Sequence, residues 1–160
     1  SIGSGIVTMD MGGTNKTLGI RMRADSSGNY AMGLENASGT LIGSVVLNAA
    51  STSYNTSSDY RLKENVVDIT DGITRVKQLE PKKFNFIADA DTTVDGFLAH
   101  EAQEVVPESV TRTTDEVDDE GNPVMQGIDQ AKLVPLLTAA LQEAIAKIEV
   151  LETKVAALEA

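Results

Sequence analysis

A serine and a lysine five residues apart, Ser58 and Lys63, could together form an activated nucleophile. A serine hydroxyl attacks a carbonyl poorly until a base takes its proton, and a lysine amine can be that base once desolvation lowers its pKa. The same spacing also occurs in sequences that carry no such chemistry. The alternative interpretation is therefore the end of a linker beside a solvated lysine.

Neither regular secondary structure brings the two side chains of this pair together. In a strand, their spacing corresponds to about 16 Å. In a helix, it leaves them about 140° apart around the axis. Two arrangements remain: either Asp59, Tyr60 and Arg61 form a turn, or Lys63 acts on Ser58 of a neighbouring chain.

The C-terminal part of the chain carries a heptad pattern. Apolar residues recur at spacings of three and four, at Val134, Leu137, Leu141, Ala144, Ile148, Leu151, Val155 and Leu158. An average period of about 3.5 is typical of a coiled-coil seam. In a parallel assembly, Lys147 would meet Glu152 of the next chain, and Lys154 would meet Glu159. Both pairs have opposite charges, which indicates a parallel homo-oligomer.

The heptads alone do not determine the number of chains. The branched and leucine residues at the a and d positions favour two strands, whereas Leu133 and Ile145 widen the apolar face and favour three or more. The alternative to association is an amphipathic helix folded back on its own domain. We predict a coiled coil over residues 131–160.

Charge and composition limit the classes of function. The net charge is -11, yet residues 1–57 contain three basic and three acidic residues, so the acidic excess lies in residues 58–160. This argues against nucleic-acid binding, which requires basic patches. No apolar run approaches the roughly 20 residues of a membrane span, and no signal peptide is visible, as expected for a fragment of a longer protein. Without cysteine and with few aromatic residues, stability should come from association.

The region before residue 58 has the composition of β-structure. It holds nine of the 13 glycines, and its short apolar runs alternate with turn residues. We predict strands at 5–9, 18–22, 30–34 and 41–47, and a polar linker over 48–57. Large side chains are too few to form a core within one chain, so this segment should be intertwined between chains.

The region from residue 58 onward mixes helices and strands. We predict a helix over 69–79 that Pro81 ends, a strand over 83–87 and a buried strand over 96–99. A short helix should follow over 99–106, and then a hairpin over 111–127 that turns at 118–122. A long helix should begin at Gln130, with Pro135 in its first turns. The predicted fold class is therefore α+β.

Three motifs in this second region resemble one protein family. Ser58–Val66, with the sequence SDYRLKENV, is similar to the start of the C-terminal intramolecular chaperone domain of phage tail spikes and tail fibres, known best from endosialidases. Leu79–Phe84, Gly96–Pro107 and the closing coiled coil follow in the family's order and spacing. The resemblance covers about residues 58–160 and divides the chain into a fibre end, 1–57, and a chaperone domain.

The resemblance implies a function and a site. Members of this family form homotrimers, assist trimerisation of the fibre ahead of them and then release themselves by autoproteolysis. Carried over to this sequence, the cut lies between Ser57 and Ser58, with Ser58 as nucleophile and Lys63 as its partner. The expected location is the virion, with the fibre contacting a receptor on the host cell surface and no nucleic acid or membrane insertion involved.

Three further polar residues could support the cut, namely Asp59, His100 and Glu101. His100 is the only histidine and belongs to no zinc motif, so it could equally be a polar core or interface contact. The acidic loop 115–120 lacks the alternation of a calcium loop. We therefore expect no metal and no cofactor.

Two other classes of function remain as alternatives. One is a structural fibre tip with a permanent coiled-coil clamp and no catalysis. The other is a related self-cleaving domain of a membrane-tethered transcription factor. The lack of a transmembrane segment and of a basic DNA-binding region argues against the second.

Overall fold

The computed structural model of the chain describes residues 30–48 and 50–159. The chain divides into two compact units between Val66 and Val67, so the predicted cut falls inside the first unit. The described residues are mixed α+β, as predicted. The predicted strands at 5–9 and 18–22 lie outside the described residues.

The first unit contains one antiparallel sheet of three strands. These are β1 (Tyr30–Glu35), β2 (Leu41–Leu47) and β3 (Thr52–Thr56), with β2 in the centre. The turn between β1 and β2 is closed by the Asn36 side chain, whose Oδ1 accepts hydrogen bonds from the amides of Ser38 and Thr40. Gly39 takes the left-handed conformation there, with φ of 76°. The strands predicted at 30–34 and 41–47 are confirmed.

The predicted linker over 48–57 is wrong, because β3 lies within it. Its residues pair with β2 from Thr52 opposite Leu47 to Thr56 opposite Gly43. Threonine and tyrosine suit a pleated strand. The strand shows no apolar alternation because it forms an edge of the sheet with most of its side chains exposed. A hydrophobic pattern therefore could not reveal it.

The second unit consists of short elements around a long helix. They are α1 (Gly72–Val76), β4 (Lys82–Phe86), β5 (Asp89–Gly96), α2 (Ala99–Val105), β6 (Val110–Thr111), β7 (Gly127–Ile128) and α3 (Val134–Glu159). β4 and β5 form a hairpin, and β6 pairs with β7. The strand predicted at 83–87, the helix at 99–106 and the hairpin turning at 118–122 are confirmed. A 3-10 turn over Gln130–Leu133 opens the predicted final helix.

Two predicted elements of this unit need correction. The helix predicted over 69–79 is only Gly72–Val76, because its start is set by contact with α3: the Glu143 carboxylate accepts hydrogen bonds from the amides of Gly72 and Ile73. The strand predicted over 96–99 is misplaced. The observed strand, β5, begins at Asp89 and ends at Gly96. Its polar sequence concealed it, since nearly all of its side chains are exposed.

A small apolar core joins the helices of the second unit. Val105, Val106, Leu133 and Leu136 are buried together, and Val76, Leu79 and Phe97 pack against them. α3 contributes a buried face that ends early, since no residue from Leu141 to Glu159 is buried. The seam residues lie on the rest of the helix surface, with Leu141 61% and Leu151 59% exposed.

Candidate active site

The segment after the predicted cut forms one tight turn. Tyr60–Leu62 is a 3-10 helix, and the Asp59 carboxylate caps it by accepting a hydrogen bond from the Arg61 amide at 2.9 Å. The Lys63 amide donates to the Tyr60 carbonyl at 3.1 Å and closes the turn. An aspartate that binds the amide two residues later is a common way to begin such a turn.

This turn brings the two candidate catalytic side chains together. The Lys63 ammonium Nζ donates to the Ser58 hydroxyl Oγ at 2.8 Å. Of the two arrangements left open by the spacing, the single chain adopts the turn. Both residues are exposed in the single chain. The geometry suits proton transfer from the hydroxyl to the amine when the amine is neutral.

A second interaction holds the turn from outside. The Arg61 guanidinium donates from Nε at 2.9 Å and from Nη2 at 2.7 Å to the two carboxylate oxygens of Asp59. This bidentate bond is the main cause of the lowered pKa of Asp59, with smaller contributions from the Arg61 amide and the charge of Lys63. Asp59 is therefore ionised at neutral pH and shapes the turn through its bonds to Arg61, while a supporting role in the cut stays a prediction.

The residue before the predicted cut is held by the sheet. The Ser57 amide donates to the Ile42 carbonyl at 3.0 Å, and the Ser57 hydroxyl donates to the Leu41 carbonyl at 3.3 Å. The Ser57–Ser58 peptide bond thus lies directly between a β-ladder and a capped turn. The sequence did not reveal Leu41 and Ile42, because their contacts bridge β2 and the end of β3. The role of Arg61 had a signal in the Asp-x-Arg spacing.

His100 and Glu101 lie on α2, in the second unit, whereas Ser58 and Lys63 belong to the first. His100 is exposed. The Oε2 atom of Glu101 is buried, with the Lys82 ammonium at 3.5 Å as its charged neighbour. A hydrogen bond to Glu80 is the main cause of the raised pKa of Lys82, and Glu101 adds to it. A supporting role for His100 or Glu101 in the cut stays a prediction.

The acidic loop is closed by its own hydrogen bonds. The Asp118 carboxylate accepts hydrogen bonds from the amides of Glu120 and Asn122, and the Asn122 side chain is the main cause of its lowered pKa. Within residues 30–48 and 50–159, no group of three or more potential metal ligands comes together. The same residues include no helix with the length and hydrophobicity needed to cross a membrane.

One protein family matches this part of the chain. Residues 58–111 match the family described as chaperone of endosialidase, a peptidase family by its designation, and the match begins at Ser58 itself. This match supports a C-terminal intramolecular chaperone domain in the chain. At the level of the family, this indicates a chaperone role in tail-spike folding and self-cleaving peptidase activity. No curated protein matches the chain.

Proposed function

We propose that this chain is the C-terminal end of a trimeric phage tail fibre or spike, whose chaperone domain assembles three chains and then cuts itself off between Ser57 and Ser58. The observation that carries the proposal is the hydrogen bond from Lys63 Nζ to Ser58 Oγ at 2.8 Å. The family match at Ser58 supports the position of the cut. Ser58 is the nucleophile and Lys63 is the base.

The reaction proceeds through an ester. Ser58 Oγ gives its proton to the neutral Lys63 amine and bonds to the carbonyl carbon of Ser57, which closes a five-membered ring. The bond from that carbon to the Ser58 nitrogen then breaks, and the nitrogen receives the proton from Lys63. Ser57 is now esterified to Ser58 Oγ. Water hydrolyses the ester and separates residues 1–57 from residues 58–160.

Association of chains provides the apolar surroundings that this reaction needs. A lysine amine accepts a proton near neutrality only when it is desolvated. In the single chain, Ser58 and Lys63 are exposed, and the apolar residues around them are exposed too, with Tyr60 at 80% and Leu62 at 70%. Neighbouring chains that cover these side chains would exclude water from the dyad. The cut would then follow assembly.

The long helix supports association of three chains. One face of α3 packs on its own domain through Leu136, Ala139 and Ala140, whereas the heptad seam on its other positions is unpartnered in the single chain. If the helix only packed against its own domain, this second apolar surface would stay exposed to water. The family resemblance favours three chains. Parallel association also places opposite charges side by side at both pairs predicted from the heptads.

The physical benefit of such a domain is that it brings the strands of the three chains into one register. Intertwined β-strands have a high loop-closure cost and many competing registers. A coiled coil that associates first aligns the chains and raises their effective concentration. Removal of the chaperone then leaves the fibre protected by a slow unfolding rate. The mature fibre would belong to the virion, and its receptor on the host surface is part of the same proposal.

The mass of the purified protein tests this function. Self-cleavage yields two fragments that separate between Ser57 and Ser58, and Ser58→Ala yields one intact chain. A single intact chain from the wild-type trimer after prolonged incubation would instead favour a structural fibre tip with a permanent clamp.

A further inference from the structure

The peptide bond at the proposed cut continues the ladder between two strands. β3 ends at Thr56, which pairs with Gly43, yet the following amide still bonds to β2: Ser57 donates to the Ile42 carbonyl at 3.0 Å. Its hydroxyl donates to the Leu41 carbonyl at 3.3 Å. The residue that supplies the carbonyl carbon of the proposed reaction is therefore attached to the central strand at two points.

Attack by Ser58 Oγ on this carbonyl needs one particular rotation of the backbone. The turn capped by Asp59 restrains the Ser58 hydroxyl, but it does not restrain the Ser57 carbonyl. Correct placement of a reacting group contributes much of the rate in such reactions, and a displacement of about 1 Å can cost roughly 100-fold. The bonds to Leu41 and Ile42 restrain the other side of the peptide bond.

Strand pairing in this sheet is not enforced by a core within one chain. Among the sheet residues whose burial is described, only Ser44 is buried, and large side chains such as Leu34 and Tyr54 are 51% and 82% exposed. The pairing of β2 and β3 is therefore a state that the chain can fail to reach. The turn with Ser58 and Lys63, by contrast, is closed by local hydrogen bonds.

We propose that the backbone carbonyls of Leu41 and Ile42 act as a positioning clamp, which holds the Ser57 carbonyl carbon in the orientation that Ser58 Oγ attacks. This inference rests on the proposed cleavage and adds a requirement that Ser58 and Lys63 alone do not impose.

Register-shift variants of the full chain test the clamp. Since strand residues alternate in direction, one residue added between Tyr54 and Asn55 turns the Ser57 amide away from Ile42. We expect cleavage about 100-fold slower than in the wild type. The matched control adds the same residue between Ala50 and Ser51, in the turn between β2 and β3, where it leaves the strand pairs unchanged. We expect this control to be cut at nearly the wild-type rate.

Hydrogen exchange of the Ser57 amide shows whether each insertion has broken the bond to Ile42. Exchange of the Ser57 amide is measured for each insertion in the uncut Ser58→Ala background, and the cleavage rate is measured with Ser58 present. A bulge that absorbs the insertion keeps the amide protected and must keep the rate. Loss of protection without loss of rate, or loss of rate with protection retained, overturns the clamp. Failure of the wild type and the control to be cut would instead overturn the proposed cleavage itself.

Discussion

The backbone of Gly72 lies directly against the backbone of Ala140, with no room between them for a side chain. A Cβ atom on Gly72 would stand 2.5 Å from the Ala140 nitrogen. The same helix start is capped by Glu143, which accepts from the Gly72 amide. Both contacts come from α3, so the short helix α1 is attached to the helix that carries the coiled-coil seam.

This contact predicts that Gly72→Ala destabilises the chaperone domain. Alanine favours a helix by about 1 kcal/mol over glycine, but overpacking against an immobile backbone costs about 1–3 kcal/mol, so the net change should be destabilising. Thermal unfolding followed by circular dichroism measures it. Gly33→Ala is the control, because its added Cβ meets only the end of the Leu41 side chain. Equal unfolding temperatures for both variants would contradict the tight contact.

Ser58→Ala should leave the chain intact without preventing association. The substitution removes the attacking oxygen but keeps the turn, whose bonds come from Asp59, Arg61 and the backbone. Denaturing gels with mass spectrometry measure cutting, and light scattering measures assembly. The matched control is Ser38→Ala in the turn between β1 and β2, which should be cut normally. Continued cutting of Ser58→Ala before residue 58 would eliminate this serine as the nucleophile.

Lys63→Ala and Lys63→Arg should both abolish cutting. Alanine removes the base, and arginine keeps a charge but cannot release its proton. In the wild type, the rate should rise with pH, since only the neutral amine accepts a proton. A quench-flow or gel time course across the neutral and alkaline range measures this. A rate that does not change with pH would count against general-base catalysis.

Mixed trimers provide the control for the origin of the base. Because Lys63 reaches Ser58 within one chain at 2.8 Å, mixing Ser58→Ala chains with Lys63→Ala chains should give no cutting of either. Tagged chains of different length make each product identifiable. Cutting of the Lys63→Ala chain in mixed trimers would show that a neighbour supplies the lysine.

The Asp59–Arg61 pair should affect the rate by positioning Lys63. Asp59→Asn keeps a capping oxygen and loses the charge, whereas Asp59→Ala loses both, so we expect the alanine variant to be slower than the asparagine variant. The folded pKa of Asp59 is lowered. Its stabilisation of the turn is therefore present above the unfolded pKa, near 3.9, and is lost only as pH falls through the lower folded value.

The pH dependence of the rate in the neutral range distinguishes the Lys63 amine from the Asp59 carboxylate. Because its pKa is lowered, Asp59 stays ionised from about pH 6 to 9, so titration of Asp59 itself should add no step to the pH profile of the wild-type rate in this range. A step in this range that is present in the wild type and disappears in Asp59→Asn would contradict this assignment.

Aspartate at Ile148 and Leu151 should prevent association and cutting together. Charges buried in the seam have a high desolvation cost, and these side chains are 53% and 59% exposed in the single chain, so the fold of one chain should tolerate them. Sedimentation and gel analysis measure the two effects. Val150→Asp is the control, since Val150 lies outside the heptad seam and is also 53% exposed. Efficient cutting by a monomeric double variant would refute the dependence of cleavage on assembly.

Local chemistry in the sequence was sufficient for several features. The motif that begins at Ser58 indicated the family that residues 58–111 match, and a turn that pairs Ser58 with Lys63 was one of its two predicted arrangements, since these residues lie within one short segment. The heptads likewise predicted the long helix α3, because a helix repeats its pattern along one continuous segment. The strands with apolar runs, β1 and β2, were predicted for the same reason.

Only the tertiary structure decided which distant segments meet. β3 and the clamp on Ser57 depend on pairing with β2, and a polar edge strand has no hydrophobic period to reveal it. The start of α1 depends on Glu143 and Ala140, far along the chain from Gly72. Such long-range contacts follow from packing of the whole unit rather than from local preference. For that reason, the sequence determined which groups are available to react, and the fold decided what holds them in place.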